Sequence, residues 1–392
     1  MNDILSNAKA ISGQIVEDRR FFHKNPEIAS DLRITSEYIF SRLRSLGYSP
    51  KIIAKCGIVA DIGNPENGKC ILLRSDMDAL PIEEKTELEY KSKNGFMHAC
   101  GHDTHMAMLL GAAMLLKQHE DRLCGMVRLM FQPDEENIKG AVAMIDEGVL
   151  ENPAIDCAMA IHALIPYKAG KIGSAPGPFC SSDTSFRITV NGIGGHGSSP
   201  HLTIDPINTA VQIYNQLTSI ITREISAFEF TVLTIGKFCA GDVSNIIPGN
   251  AVLEGTLRTF SEDVRSFAVN RIQEIINLVA KANRASVDFE ILKYGPVLVN
   301  DEHITKTMFS YLGEILPPDD LDMALQKRTF TEDFAEIACR IPSLMIMLGG
   351  GDISEGCEFT LHNQKAIFNE KMLPIGAAAL AHCAMRYLED NK

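Results

Sequence analysis

Short runs of consecutive apolar residues recur through the first part of the chain, at 57–62, 70–73, 126–131 and 157–161. Such runs predict strands buried on both faces, the texture of a parallel sheet with its two sides covered. Helical spacing falls between several of them, near 104–118 and 138–148. Strands alternating with helices imply an α/β domain whose sheet is mixed but largely parallel and flanked by helices.

The texture then changes. After the segment GSAPGPFCSSD comes a strand of alternating character at 185–190, followed by a glycine-rich turn, NGIGGHGSSPH, and a long helix over about 204–222. Two further strands at 228–238 and 251–260, an amphipathic helix at 262–284 and a closing strand complete an α+β block of about 110 residues, a size suited to an inserted domain. Beyond Tyr294-Gly295-Pro296 the first style resumes, with a buried run at 344–348 and a last helix over 369–389. The pattern therefore predicts a discontinuous α/β domain, 1–180 and 296–392, with an α+β domain at 181–295 inserted into it.

Composition narrows the function classes. A chain of 392 residues, 45% of them apolar, supports two cores. Its net charge of −13 argues against a nucleic-acid or anionic-membrane partner, since either calls for clustered Lys and Arg, and points to a small dissolved substrate. The N-terminal stretch lacks the apolar core of a secretory signal, and no stretch reaches the length of a membrane span, so a cytoplasmic protein is expected. The ten cysteines form no CxxC pair or compact framework, which predicts reduced thiols, with Cys70 and Cys157 as core fillers.

The densest group of metal-ligand types is MHACGHDTH at 97–105, which offers Cys100, His102, Asp103 and His105 just before a predicted helix. Thiolate and imidazole together suit a borderline-soft ion such as zinc, although a structural His/Cys cluster reads the same way. About 30 residues on, a strand ends in Gln132-Pro133-Asp134-Glu135-Glu136, carboxylates at the carboxyl edge of a parallel sheet, where open α/β folds build their sites. Adjacent carboxylates repel, so such a run is either a solvated loop or lies beside a cation. His162 follows a buried strand, and His362 precedes the last helix. With Cys100, His102 and Glu136 they make five candidate ligands for a pair of ions. Asp78, in Arg74-Ser75-Asp76-Met77-Asp78-Ala79-Leu80-Pro81, can accept the second N–H of a ligand imidazole and fix its tautomer.

The ordered motifs RSDMDALPIEE, HACGHDTHMAMLLGAA, FQPDEEN with GAVAMIDEGVLE, GGHGSSPH with DPI, SNIIPG with GTLRTF, TEDF and LHN resemble the amidohydrolase branch of the aminoacylase/carboxypeptidase metallopeptidase family. Hippurate hydrolases, auxin-conjugate hydrolases and N-acetyl-diaminopimelate deacetylases belong to that branch, and the match runs from about residue 20 to 388. The resemblance implies an amidohydrolase that cleaves N-acyl-amino acids carrying acetyl, benzoyl or aryl-acyl groups. It implies two divalent ions, zinc or manganese, with cobalt and nickel as alternatives, on Cys100, His102, Glu136, His162 and His362. Glu135 matches the general acid/base and Asp78 the carboxylate outside the ligand set. The inserted block resembles a lid and dimerisation domain, so a homodimer is expected. On that block His196 matches a histidine that approaches the scissile carbonyl, often from the partner subunit, while Asn245 and Arg258 match residues that hold the substrate.

The chain departs from the family's pattern in three places. Asn137-Ile138-Lys139 stands where a glycine-rich tract is usual, Lys327-Arg328-Thr329-Phe330 replaces small residues before TEDF, and Pro342-Ser343 replaces Pro-Gly. These leave the hydrolytic residues intact and bear on the substrate. The competing readings are a dipeptidase or carboxypeptidase with the same metal site, an N-acetyl-diaminopimelate deacetylase, a thiol hydrolase with Cys100 as nucleophile, and a non-catalytic binding protein.

Overall fold

The computed structural model describes residues 4–392, which divide into two compact units. One comprises the chain through Gly177 together with Val299–Gln326 and Asp333–Lys392. The other comprises Pro178–Leu298 and Lys327–Glu332. The sequence pattern groups the last of these segments with the α/β domain, whereas its backbone is tied to the second unit. Arg328 N–H donates to Phe179 C=O (2.8 Å), and Ser181 N–H donates to Arg328 C=O (3.0 Å).

The first unit is built on an eight-stranded mixed sheet, in the order Lys51–Ile53, Gly57–Gly63, Met126–Gln132, Cys70–Asp76, Cys157–Leu164, Ser343–Gly349, Ile172–Gly173, Leu321–Asp322. The four central strands, Met126–Gln132 through Ser343–Gly349, are mutually parallel, and each is buried at every position. Helices cover both faces, as continuous apolar strands require. The helix His102–Gln118 is buried from His102 to Leu116, so it is a core helix rather than an amphipathic one. It packs against the last helix, Leu373–Asp390, so closely that a Cβ on Gly111 would lie 2.8 Å from the Ala377 methyl. Two long N-terminal helices, Ser12–Lys24 and Arg33–Ser45, and a third at Glu302–Leu312 lie outside the elements read from periodicity. The ten cysteines are free thiols, and Cys70 and Cys157 are buried.

The second unit is a four-stranded antiparallel sheet in the order Thr231–Ala240, Asn250–Thr259, Asp183–Asn191, Ser286–Gly295. Its two central strands alternate between buried and partly exposed positions, so one face packs on the helices Pro206–Ser219 and Glu262–Ala282 while the other meets solvent. Asp205 caps the first helix and Ser261 the second, each accepting backbone N–H groups of the first turn.

Candidate metal centre

The carboxyl ends of the central strands deliver the cluster. Asp76-Met77-Asp78 leaves one strand, Gln132 to Glu136 leaves its neighbour, and His162 lies within a third. Cys100 and His102 sit at the start of the core helix, separated by Gly101, whose φ of 92° is left-handed. A Cβ at Gly101 would come within 2.9 Å of the Phe368 ring and 3.1 Å of the Ala163 methyl, so this turn admits only glycine. Three other residues of the site hold left-handed backbone without being glycine: Asp134 (φ 56°), Ile138 (φ 55°) and His362 (φ 61°). Such strain persists where its surroundings over-determine it. Asp134 accepts from Ser30 Oγ (3.0 Å) and Asn137 Nδ2 (2.6 Å), so Asn137, one of the residues that departs from the family's glycine tract, helps support the bend. Ile138 pays for the same departure, being β-branched in a region that glycine enters freely.

The five predicted ligands converge. Cys100 Sγ lies 3.5 Å from His162 Nε2 and 3.2 Å from His362 Nε2, which is 3.5 Å from Glu136 Oε1. Cys100, His102 and His162 form one set of ligand atoms within 4.8 Å of one another, and Cys100, Glu136 and His362 form a second that shares the sulfur. Glu135 joins His102 and Glu136 in a third.

Hydrogen bonds fix which ring nitrogens are basic. His102 Nδ1 is 2.7 Å from the Asp78 carbonyl oxygen, and His162 Nδ1 is 2.7 Å from that of Ala163; only an N–H can face a carbonyl, so each neutral ring leaves Nε2 as its acceptor. His102 Nε2 is buried and makes no hydrogen bond, with Asp76 Oδ2 3.7 Å away. His105 differs. Its Nδ1 is 2.6 Å from Asp76 Oδ1, and its Nε2 accepts the Ala163 N–H at 2.7 Å, so both nitrogens are used and the ring is structural.

Asp78 works through two groups. Its carbonyl takes the His102 N–H, and its carboxylate, 3.7 Å from that ring, accepts the backbone N–H groups of Glu135 (3.0 Å) and Glu136 (3.1 Å). The expectation that the carboxylate itself would hold an imidazole is corrected accordingly: it orients the two-glutamate loop.

Burial, with Glu136 beside it, pushes the Cys100 thiol well above its ordinary value, so deprotonating the sulfur calls for a cation next to it. Burial and the His105 ring keep His162 well below the usual histidine range, hence neutral. Burial also raises Glu136, reinforced by Asp78 and Asp76 and opposed by His102, to about 7. Burial disfavours a charged His102 as well, but Asp76 and Cys100 outweigh it and hold that ring well above the usual value. A soft thiol, imidazole nitrogens and a carboxylate gathered at the sheet edge, buried or half-buried but for the exposed His362, fit a borderline divalent ion.

The second unit places the other predicted residues. His196 pairs with Ile246 in a short antiparallel ladder, and Asn245 C=O accepts the Gly197 N–H at 2.8 Å, so the segments carrying His196 and Asn245 lie side by side. Ser198 donates its backbone N–H to His196 Nδ1 at 3.1 Å, and its hydroxyl lies 2.8 Å away, which puts the proton on Nε2. Arg258 donates to Thr331 Oγ1 (2.8 Å) and has Asp183 at 3.8 Å. Sequence reasoning gave no role to Arg74, Asp76, Gln132 and Asp333, four buried polar residues bonded to one another. Their one signal was a set of charged or amide residues at the ends of otherwise apolar strands or in the TEDF motif.

An α/β sheet with a Cys/His/Glu cluster and an adjacent glutamate at its carboxyl edge defines a hydrolase of the metallopeptidase type. Residues 72–386 match the model of Peptidase family M20/M25/M40, and the chain belongs to that family, whose members hydrolyse amide bonds. It is 35% identical over 388 residues to thermostable carboxypeptidase 2 of Saccharolobus solfataricus, covering 97% of each chain. It is also 35% identical over 380 residues to IAA-amino acid hydrolase ILR1-like 4 of Arabidopsis thaliana, covering 95% of this chain and 86% of that one. Among solved structures it matches the YXEP protein of Bacillus subtilis, described as a dinuclear metal binding peptidase, with a TM-score of 0.83 and 29% identity over 97% of this chain and 99% of that one.

Proposed function

We propose that the protein hydrolyses the amide bond of N-acyl-amino acids, with acetyl, benzoyl or aryl-acyl groups, using two divalent ions held by Cys100, His102, Glu136, His162 and His362. The observation that carries this reading is a pair of imidazoles, each with Nδ1 fixed on a backbone carbonyl, gathered with the Cys100 sulfur so that their ligand atoms lie within 4.8 Å of one another. The donor set favours zinc or manganese and accommodates cobalt and nickel. Bound there, the ions supply Lewis acidity, which polarises a carbonyl and brings the pKa of water down toward neutrality.

Glu135, buried and oriented by Asp78, takes the proton of the attacking water and returns it to the leaving amine. His196 offers its Nε2–H to the oxygen that gains charge, and Asn245 and Arg258 hold the substrate, the guanidinium on its free carboxylate. The second unit serves as lid and as the contact of a homodimer, a role that suits the exposed apolar positions Ile207, Val211 and Tyr214 along one helix.

The likeness to a protein named as a carboxypeptidase favours a second reading, peptide hydrolysis by the same residues. Metal analysis of the purified protein, with a hydrolysis screen over acetyl-, benzoyl- and indole-acetyl-amino acids against dipeptides, decides between them. Loss of activity on chelation, recovery with added metal and a preference for acyl-amino acids are expected. Faster turnover of dipeptides replaces the first reading with the second, and indifference to chelators with inactivation by thiol alkylation overturns both.

A further inference from the structure

The strand Cys70–Asp76 carries a fully buried guanidinium whose donors go to three different groups. Arg74 Nε donates to Gln132 Oε1 (2.9 Å), Nη1 to Asp76 Oδ2 (2.8 Å) and Nη2 to Asp333 Oδ1 (2.8 Å). Asp333 is equally hidden. Its carboxylate also accepts from Gln132 Nε2, 2.8 Å from each oxygen, and from the Ala141 backbone N–H (3.1 Å), where the helix Gly140–Asp146 begins. A desolvated carboxylate bonded on both oxygens has one position available to it. The consequence appears on its own main chain, where the Asp333 N–H lies 3.4 Å from Glu135 Oε1.

We propose that Asp333 is a positioning residue for Glu135, and that Arg74 and Gln132 act through it. Holding Oε1 presents the other carboxylate oxygen of Glu135 for proton transfer in one fixed orientation. Gln132 stands at the end of the strand that leads into the Glu135 loop, so one network fixes both the loop that carries the base and the segment that holds it. The proposal rests on Glu135 being the general base.

The test is steady-state and single-turnover kinetics of Asp333→Asn with its metal content measured. The expected result is a kcat about 10- to 100-fold lower, as a misplaced catalytic group gives, with KM and metal stoichiometry unchanged. In a Glu135→Gln background the same change is expected to cost less than about twofold, because coupled residues are not additive. If Asp333→Asn does not fold, Gln132→Met, which removes both hydrogen bonds from Gln132 Nε2 to Asp333 together with the acceptor of Arg74 Nε, carries the same cycle with an expected loss of about 3- to 10-fold. Wild-type kcat in a folded, metal-replete variant, or an equal loss with and without Glu135, overturns the proposal. Full activity of Glu135→Gln alone overturns the assignment of the base instead.

Discussion

The two units use charge in opposite ways. In the first, ionisable groups are buried on its helices and tied to several partners: Arg19 reaches Asp103 (2.8 Å), Tyr90 (2.6 Å) and Glu370 (3.1 Å), and His23 bridges Asp103 (2.8 Å) and Glu84 (3.1 Å). In the second, ion pairs such as Arg187 with Glu254 and Glu290 lie on the solvated face of an alternating sheet. Buried pairs hold a geometry at the cost of desolvation, whereas exposed pairs are screened and contribute little. A constellation of metal ligands needs fixed geometry, and the candidate ligands sit on the first kind of scaffold.

Substitutions in the first unit are therefore expected to be the severe ones. Glu135→Gln keeps shape and removes the base, so kcat is expected to fall by about 100- to 10,000-fold with metal content unchanged, read by steady-state hydrolysis and elemental analysis. A metal-loaded variant at the wild-type rate would remove Glu135 from the mechanism. Next comes Asp103→Asn, which leaves Arg19 and His23 buried beside a neutral amide and is expected to cost about 3–5 kcal/mol in denaturant unfolding. A much smaller cost would mean that water reaches this cluster and that the contrast between the units is overdrawn.

The same cluster sets a pH window. Burial alone would raise the Asp103 carboxyl, but Arg19 and His23 hold it well below the carboxylate range, and His23 likewise lowers Glu84 against its burial. His23 is raised: burial opposes its charge, and Asp103 and Glu84 prevail. The carboxylates contribute fully above about pH 4 and lose that contribution as pH falls through their depressed values, while His23 contributes fully below about pH 6.5 and loses it as pH rises through its raised value. Stability measured against pH is expected to decline on both sides of that interval, and His23→Leu to flatten the alkaline side. An unchanged alkaline side in that variant would mean that His23 is neutral in the folded protein.

The helix that carries part of this cluster also explains what the sequence pattern conceals. Ser12–Lys24 buries Ile15, Asp18, Arg19, Phe22 and His23, a regular helical stripe in which three of five members are charged, so a search for apolar periodicity passes over it. The parallel strands were legible because they are runs of mainly apolar residues, and the candidate metal ligands because Cys and His are scarce. Asp78 was legible as a residue but not in its action, since nothing in the residue type distinguishes a carbonyl that takes an imidazole N–H from a carboxylate that does so. Arg74 and Asp333 join through partners scattered over 259 positions, a relation that exists only in the folded chain.

The smallest expected effect, that of Ser198→Ala in the second unit, tests whether the catalytic role proposed for His196 hangs on a lightly held ring. His196 is exposed, and its tautomer depends on a single neighbour that supplies two groups, the Ser198 backbone N–H and hydroxyl. Ser198→Ala keeps the backbone donor, so Nε2 retains its proton and only one hydrogen bond is lost, for an expected fall in kcat of about 2- to 10-fold. His196→Ala removes a donor to the developing oxyanion and is expected to cost about 100- to 1,000-fold. Equal losses in the two variants would mean that the hydroxyl, not the backbone, sets the tautomer. A rate unaffected by either would leave hydrolysis to the first unit alone.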